Sequence, residues 1–251
     1  MVQIPEKSTI IYPETDGEPM ANNTEQFTWI VTIKENLELL FAENPDVFVA
    51  GDLLWYPVEG DNTLRQAPDA MVVFGRPKGR RGSYLQWCEA NLPPQVVFEI
   101  LSPGNTLKEM AKKFRFYEQY GVEEYYIYDP DKIDLSGWLR SPTGQLDVID
   151  EMRGWVSPRL QIRFEPSESG LQIFRPDGQP FLTFVELEAL RVQAQRQAEQ
   201  AQRQAEQAQR QAEQAQRQAE QAQQRAEQAE RRAEQLAERL RALGIDPDSV
   251  E

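Results

Sequence analysis

Glu99 stands in the middle of an otherwise apolar run, Val96-Val97-Phe98-Glu99-Ile100-Leu101, bounded by Pro93-Pro94 before and Ser102-Pro103-Gly104 after. A run of that length between turn residues reads as a buried strand. An unpaired carboxylate in such a strand is costly or shifts its pKa until it neutralises, so a cation is expected to face it. Asp69 enters a second run, Ala67-Pro68-Asp69-Ala70-Met71-Val72-Val73-Phe74. Taken alone it is a turn residue at a strand's start; a second acid on another core strand raises the alternative of a working pair. Lys113 borders the helical stripe Leu107, Met110, Ala111, Phe114 and Tyr117, whereas Lys112 is turned to the opposite side. Lys113 either looks inward toward the acids or forms an ordinary surface pair with Glu109, four residues earlier.

Two carboxylates offer hard oxygen ligands to Mg²⁺, which keeps waters and substrate phosphate in its other positions. A lysine beside them can orient an attacking water or offset developing negative charge. Phosphodiester hydrolysis needs no more than that set. The chain has no histidine, which excludes Ser-His-Asp and Cys-His catalysis and nearly every zinc site. The single cysteine, Cys88, has no imidazole to activate it and no partner for an internal disulfide, in keeping with a reducing compartment.

The elements that must position these residues follow from periodicity and punctuation. Pro94 to Pro130 reads as strand, helix, strand: Asn105 or Thr106 is the N-cap, Gly121 the stop, and Tyr125–Tyr128 the closing strand. Before this unit, a helix from Thr24 presents Phe27, Ile30, Val31, Ile33, Leu37, Leu40 and Phe41 and ends at Asn44-Pro45. Glu35 and Glu38 on it read as solvated. Val47–Ala50 and Leu53–Tyr56 are two short strands around the Gly51-Asp52 turn. Beyond Pro130, alternating segments near residues 137–139, 146–149, 160–164 and 171–174 suggest antiparallel strands that finish the sheet or cover a face. Residues 1–23 lack sustained periodicity and read as a flexible arm.

From Leu187 to Leu243 the chain repeats seven-residue units such as AEQAQRQ, with alanines alternately four and three apart and Leu236, Leu240 and Leu243 continuing the register. Glu199-Arg203, Glu206-Arg210 and Glu213-Arg217 add i,i+4 pairs in the favourable order. A long helix is expected over 187–243, followed by a short tail at 244–251. Each buried methyl contributes only about 0.8 kcal/mol, so an alanine seam is weak. A coiled coil making homo-oligomers and a lone charged helix both remain open.

Of the net charge of −14, residues from Leu187 onward hold ten Lys/Arg against twelve Asp/Glu, leaving −12 on the body before them. A broad basic nucleic-acid footprint is therefore excluded, and contact with a polyanion must be local. The loop Arg76-Pro77-Lys78-Gly79-Arg80-Arg81-Gly82 concentrates four cations. It is either a solvated loop or a clamp on phosphate backbone through Arg76, Lys78, Arg80 and Arg81. With 251 residues, no apolar run of membrane-spanning length and no signal peptide at the start, a cytoplasmic protein that does not enter a membrane is expected.

The Pro68-Asp69 strand entry, VVFEILSPGNT, the lysine of KFRFY and GVEEYYIYDP occur in order at compatible spacing. Together they resemble the Uma-two family of restriction-endonuclease-like proteins, within the PD-(D/E)XK nuclease superfamily. The resemblance covers about Thr24 to Glu186, taken as one domain over residues 24–186. It implies an α/β fold with a mixed central sheet flanked by helices, to which the long C-terminal helix is added. It also implies an endonuclease that hydrolyses DNA with Mg²⁺ or Mn²⁺ through Asp69, Glu99 and Lys113, the metal held by Asp69, Glu99 and the main-chain carbonyl of Ile100. One position departs from the superfamily pattern. Strand residues two apart share a face, so Leu101 occupies the usual place of a lysine, and Lys113 would replace it from the helix. The alternative is an inactive nuclease fold serving as a binding or assembly module.

Overall fold

The computed structural model describes residues 10–17, 19–168 and 170–242. Asn23 opens the first helix, its side chain accepting the Gln26 N–H at 2.8 Å and so satisfying one of the donors that a helix start leaves unpaired. From there α1 (Thr24–Leu40) buries Ile30, Ile33 and Leu37 along one stripe. Full burial of each such side chain is worth about 1.5–3 kcal/mol. The chain then forms β1 (Val47–Ala50), the two-residue β2 (Trp55–Tyr56), β3 (Ala70–Phe74) and the equally short β4 (Tyr84–Leu85). Next come β5 (Val96–Ile100), α2 (Leu107–Tyr120) and β6 (Glu124–Asp129). The order continues with β7 (Asp134–Arg140), β8 (Leu146–Val148), β9 (Arg163–Ser167) and β10 (Gly170–Phe174), and ends with α3 (Phe184–Ala242).

Six strands make the central sheet in the order β1-β3-β5-β6-β7-β8. Only β5 and β6 run parallel, and α2 is the crossover that a parallel pair requires; the other neighbours are antiparallel. The fold is thus α/β with a mixed sheet, as the sequence indicates. The last alternating segments divide between two roles: β7 and β8 extend the sheet, whereas β9 and β10 form a separate hairpin. β2 and β4 pair with each other as a small parallel ribbon.

Strand alternation sorts the core into two sides. Val96, Phe98 and Ile100 share a cluster with Ile30, Ile33 and Leu37 of α1. Ala50, Met71, Val73 and Val97 instead join Phe116 and Tyr117 of α2. Glu99 is two residues after Val97 and therefore points to the α2 side. Thr106 caps α2 by a capping box with Glu109, and Gly121 ends it at φ +96°, where a side chain would press on Pro93.

The stretch expected to be a flexible arm carries specific contacts where it is described. The Tyr12 ring lies 5.2 Å from that of Tyr56 and 5.0 Å from that of Trp87, and Tyr56 donates to the Pro13 carbonyl at 2.8 Å. Aromatic burial and main-chain hydrogen bonds thus tie down a segment that has no period of its own. The first nine residues lie outside the described part, as do Leu243 and the tail at 244–251.

Two compact units divide after Leu187. The second is helical from Glu188 to Ala242, has no buried residue among those described, and is laced by Gln-to-Glu hydrogen bonds four residues apart, such as Gln195–Glu199 at 3.1 Å. No described helix is long and apolar enough to cross a membrane.

Candidate active site

The sheet's register assembles the acids. Ala70 pairs with Phe98 and Met71 with Val97; one step further sets Asp69 opposite Glu99. Ala50 pairs with Met71, and just beyond β1 the chain bends at Asp52 (φ 49°), whose N–H donates to the Pro68 carbonyl at 3.0 Å. Because side chains alternate with period two, Asp69 and Glu99 stand on one side of two neighbouring strands at one end of the sheet, and Asp52 lines the same cavity as Asp69 from the bend after β1. Asp52, read from sequence as a turn residue, was the acid that pattern reasoning missed. Nothing in its local sequence signals its neighbour Asp69, which the adjacent strand supplies.

Each member is held by a definite partner. Asp69 Oδ2 accepts the Ile100 N–H at 2.6 Å. The Ile100 carbonyl accepts from Gln26 Nε2 at 2.8 Å, and Gln26 Oε1 accepts the Asn22 N–H at 2.8 Å. Lys113 Nζ lies 2.6 Å from Glu99 Oε2, while Tyr117 donates its hydroxyl to Oε1. Lys113 and Tyr117 are one helical turn apart, so both meet the same carboxylate. The alternative partner for Lys113 is occupied elsewhere: Glu109 turns back to the Thr106 N–H at 2.9 Å. Trp55 stacks parallel to the Tyr117 ring at 6.3 Å and Tyr125 meets it edge-on at 5.0 Å, which fixes the direction of the hydroxyl. Tyr117 was legible in the sequence only as one more aromatic in the helical stripe.

Glu99 is only 2% exposed. Burial and the neighbouring Glu99 push the Asp69 carboxyl well above the usual carboxylate range. Burial opposes the charge on Lys113, but Glu99 and Asp69 outweigh it and raise its pKa. Burial, with Asp16 and Glu99 adding to it, also raises Asp52, whereas Lys113 acts in the other direction. The Tyr117 hydroxyl is driven up by burial and by Glu99, so it is a donor, not a base. A cavity of about 170 Å³ opens beside this cluster, lined by Asp52, Asp69, Gln26, Asn105 and Lys113, with Asp16, Pro19 and Asn22 among its other walls.

The cationic loop, read from sequence either as solvated or as a phosphate clamp through Arg76, Lys78, Arg80 and Arg81, lies away from the acids. Asp69 precedes the first residue of β3 and the loop follows its last, so the two lie at opposite ends of a strand about 17 Å long. Arg76 and Arg81 share Glu89 at 2.7 and 2.6 Å, and Lys78 meets Glu38 at 2.9 Å. Arg81 also covers the Phe48 ring at 3.9 Å. Three of the four cations are thus consumed within the fold.

A family model described as "Uma2: Putative restriction endonuclease" matches residues 14–161, more than half of the chain. The chain belongs to the Uma2 family. The matched span contains Asp52, Asp69, Glu99, Lys113 and Tyr117, and the family assignment carries a nuclease fold with it. A solved structure described as "a putative nuclease belonging to DUF820 from Anabaena variabilis ATCC 29413" is similar at 16% identity and a TM-score of 0.40. That similarity covers 54% of this chain and 72% of the other. No curated protein matches.

Among the described residues no three His, Cys, Asp or Glu side chains converge closely enough to hold a metal ion by themselves. The donors that do meet suit a hard, water-rich ion. Asp69 has one oxygen tied to Ile100, leaving the other toward the cavity, and the Ile100 carbonyl retains a second lone pair beyond its bond from Gln26. Burial and Glu99 disfavour the charged form of Asp69, and a divalent cation would favour it.

Proposed function

We propose that this protein is a metal-dependent endonuclease that hydrolyses DNA phosphodiester bonds through Asp69, Glu99 and Lys113. The observation that carries the proposal is the 2.6 Å approach of Lys113 to Glu99, next to Asp69, which supplies from a helix the cation missing at Leu101. Asp69, Glu99 and the Ile100 carbonyl would hold Mg²⁺ or Mn²⁺, with waters completing the shell. When bound, such an ion offsets charge on the phosphate as a Lewis acid. Lys113 orients the attacking water and stabilises negative charge that develops on the phosphate oxygens. Tyr117 holds Glu99 in place and Gln26 aims the Ile100 carbonyl, so both are positioning residues. The test is incubation of plasmid DNA with Mg²⁺ and the wild-type or Glu99→Ala protein. Nicking by the wild type alone supports the reading, and equal nicking by both rules out this site.

A second reading, an inactive nuclease fold used for binding or assembly, is favoured by both oxygens of Glu99 being engaged already. Mg²⁺ binding that disappears in Asp69→Ala, followed calorimetrically, counts against it. Under either reading α3 is a self-association helix, its alanine seam flanked by Gln side chains in the central repeats. Sedimentation of the full chain against one stopped after Glu186 checks this: a larger oligomer for the full chain is expected, and monomers in both samples would refute it.

A further inference from the structure

With the 76–81 loop at the wrong end of β3, the substrate strand needs another cationic surface, and α2 provides one. Lys108, Lys112 and Arg115 follow one another at i, i+4 and i+7 and are all exposed. Among the described residues none of the three forms an ion pair. The acid that stands nearest on the helix, Glu109, has its carboxylate folded back onto the Thr106 N–H at 2.9 Å. In a body whose charge is strongly negative, three adjacent exposed cations with no ion-pair contact among the described residues are the exception.

Their place relative to the acids gives the stripe its meaning. Lys112 and Lys113, with Glu109, line a groove of about 510 Å³. That groove shares Asn22, Gln66, Asn105 and Lys113 with the cavity at Asp69. Lys112 therefore stands beside the site, with Lys108 and Arg115 about one turn to either side of it along α2. We propose that Lys108, Lys112 and Arg115 form the surface on which the phosphate backbone of a DNA strand lies when its scissile phosphate enters the cavity. This rests on the nuclease reading and names the residues that hold its substrate. The stripe extends about 10 Å along the helix at ~1.5 Å per residue. At ~3.4 Å per nucleotide along one strand, it faces about three phosphates. Contacts of this kind fix register and carry no base information, so binding through them is independent of sequence.

The test uses the full chain in a Glu99→Gln background with Mg²⁺, titrated against a short labelled duplex at several salt concentrations. Replacing all three cations (Lys108→Gln, Lys112→Gln, Arg115→Gln) is expected to weaken binding to every sequence alike. It should also flatten the plot of log affinity against log salt by about 0.9 per lost contact, or about 2.7 in all. Lys112→Glu alone should weaken binding about tenfold or more, while Arg153→Gln, an exposed cation outside the groove, should change neither quantity. Binding by the parent with an unaltered salt slope in the triple variant overturns the inference and leaves the nuclease reading intact. An effect of Arg153→Gln as large per charge also overturns it, because the loss would then reflect overall charge. Absence of DNA binding in the parent overturns the inference together with the DNA reading beneath it.

Discussion

Lys113 on α2 and Glu99 on β5 approach to 2.6 Å across the face of the sheet, one side chain reaching in from a partly exposed helix and the other fully enclosed. An ion pair so placed is costly to break from one side, because the partner left behind remains a buried charge. Lys113→Met should therefore lower unfolding stability by about 2–4 kcal/mol and plasmid nicking by about 100-fold or more. Denaturant titration and a nicking assay on the same preparation measure the two losses. A stable variant with full activity would show that the lysine has neither role.

Tyr117→Phe removes a hydroxyl and almost no volume. The lost hydrogen bond goes to a charged acceptor in a dry site, so a loss of about 1.5–3 kcal/mol is expected. Glu99 then keeps Lys113 but loses its second restraint. The signature of positioning is a lower kcat with DNA affinity unchanged, measured by single-turnover cleavage alongside anisotropy binding.

Asp69 gives a pH dependence whose sign follows from its raised pKa, set by burial and by Glu99. The folded state holds the proton on Asp69 more tightly than the unfolded chain does. Its contribution to stability is therefore fully present below the unfolded value and is lost as pH rises through the folded one. Asp69→Asn keeps an acceptor for the Ile100 N–H without the charge. In metal-free buffer the variant should melt higher than the wild type at neutral pH, and the difference should shrink on acidification. Mg²⁺ should raise the melting temperature of the wild type only. Thermal melts across pH with and without Mg²⁺ read out all three expectations.

The loop cations should behave as structural residues. Arg76→Gln and Arg81→Gln each remove a hydrogen-bonded partner of Glu89, at a cost of about 1–3 kcal/mol. DNA affinity should hardly change. Urea denaturation beside DNA titration checks this, and weakened DNA binding at unaltered stability would return the loop to the substrate surface.

Sequence patterning carried the central sheet because its signals are local. Apolar runs, Pro and Gly punctuation and the Thr106 to Gly121 helix coincide with β1, β3, β5, α2 and β6. The apolar run around Glu99 marked it as a buried acid that needs a cation, and the stripe on α2 put Lys113 at its border, where the structure brings it to Glu99. What escaped depends on register and on long-range pairing. Asp52 reaches the cavity at Asp69 only once β1 and β3 are aligned, and a turn residue carries no sign of that. Tyr117 differs from its aromatic neighbours only by the carboxylate at the end of its ring. The four loop cations looked available until Glu38 and Glu89, from distant or unrelated segments, were seen to neutralise three of them. The contacts of Tyr12 and Pro13 likewise depend on Tyr56 and Trp87, far along the chain.

The most direct test of the metal site is a crystal of the protein soaked in Mn²⁺ and measured at a wavelength where manganese scatters anomalously. An anomalous peak within coordination distance of Asp69, Glu99 and the Ile100 carbonyl, with Lys113 withdrawn from Glu99 Oε2, is the expected result. A clean map there, with Lys113 and Tyr117 still closed on Glu99 at saturating Mn²⁺, would contradict it.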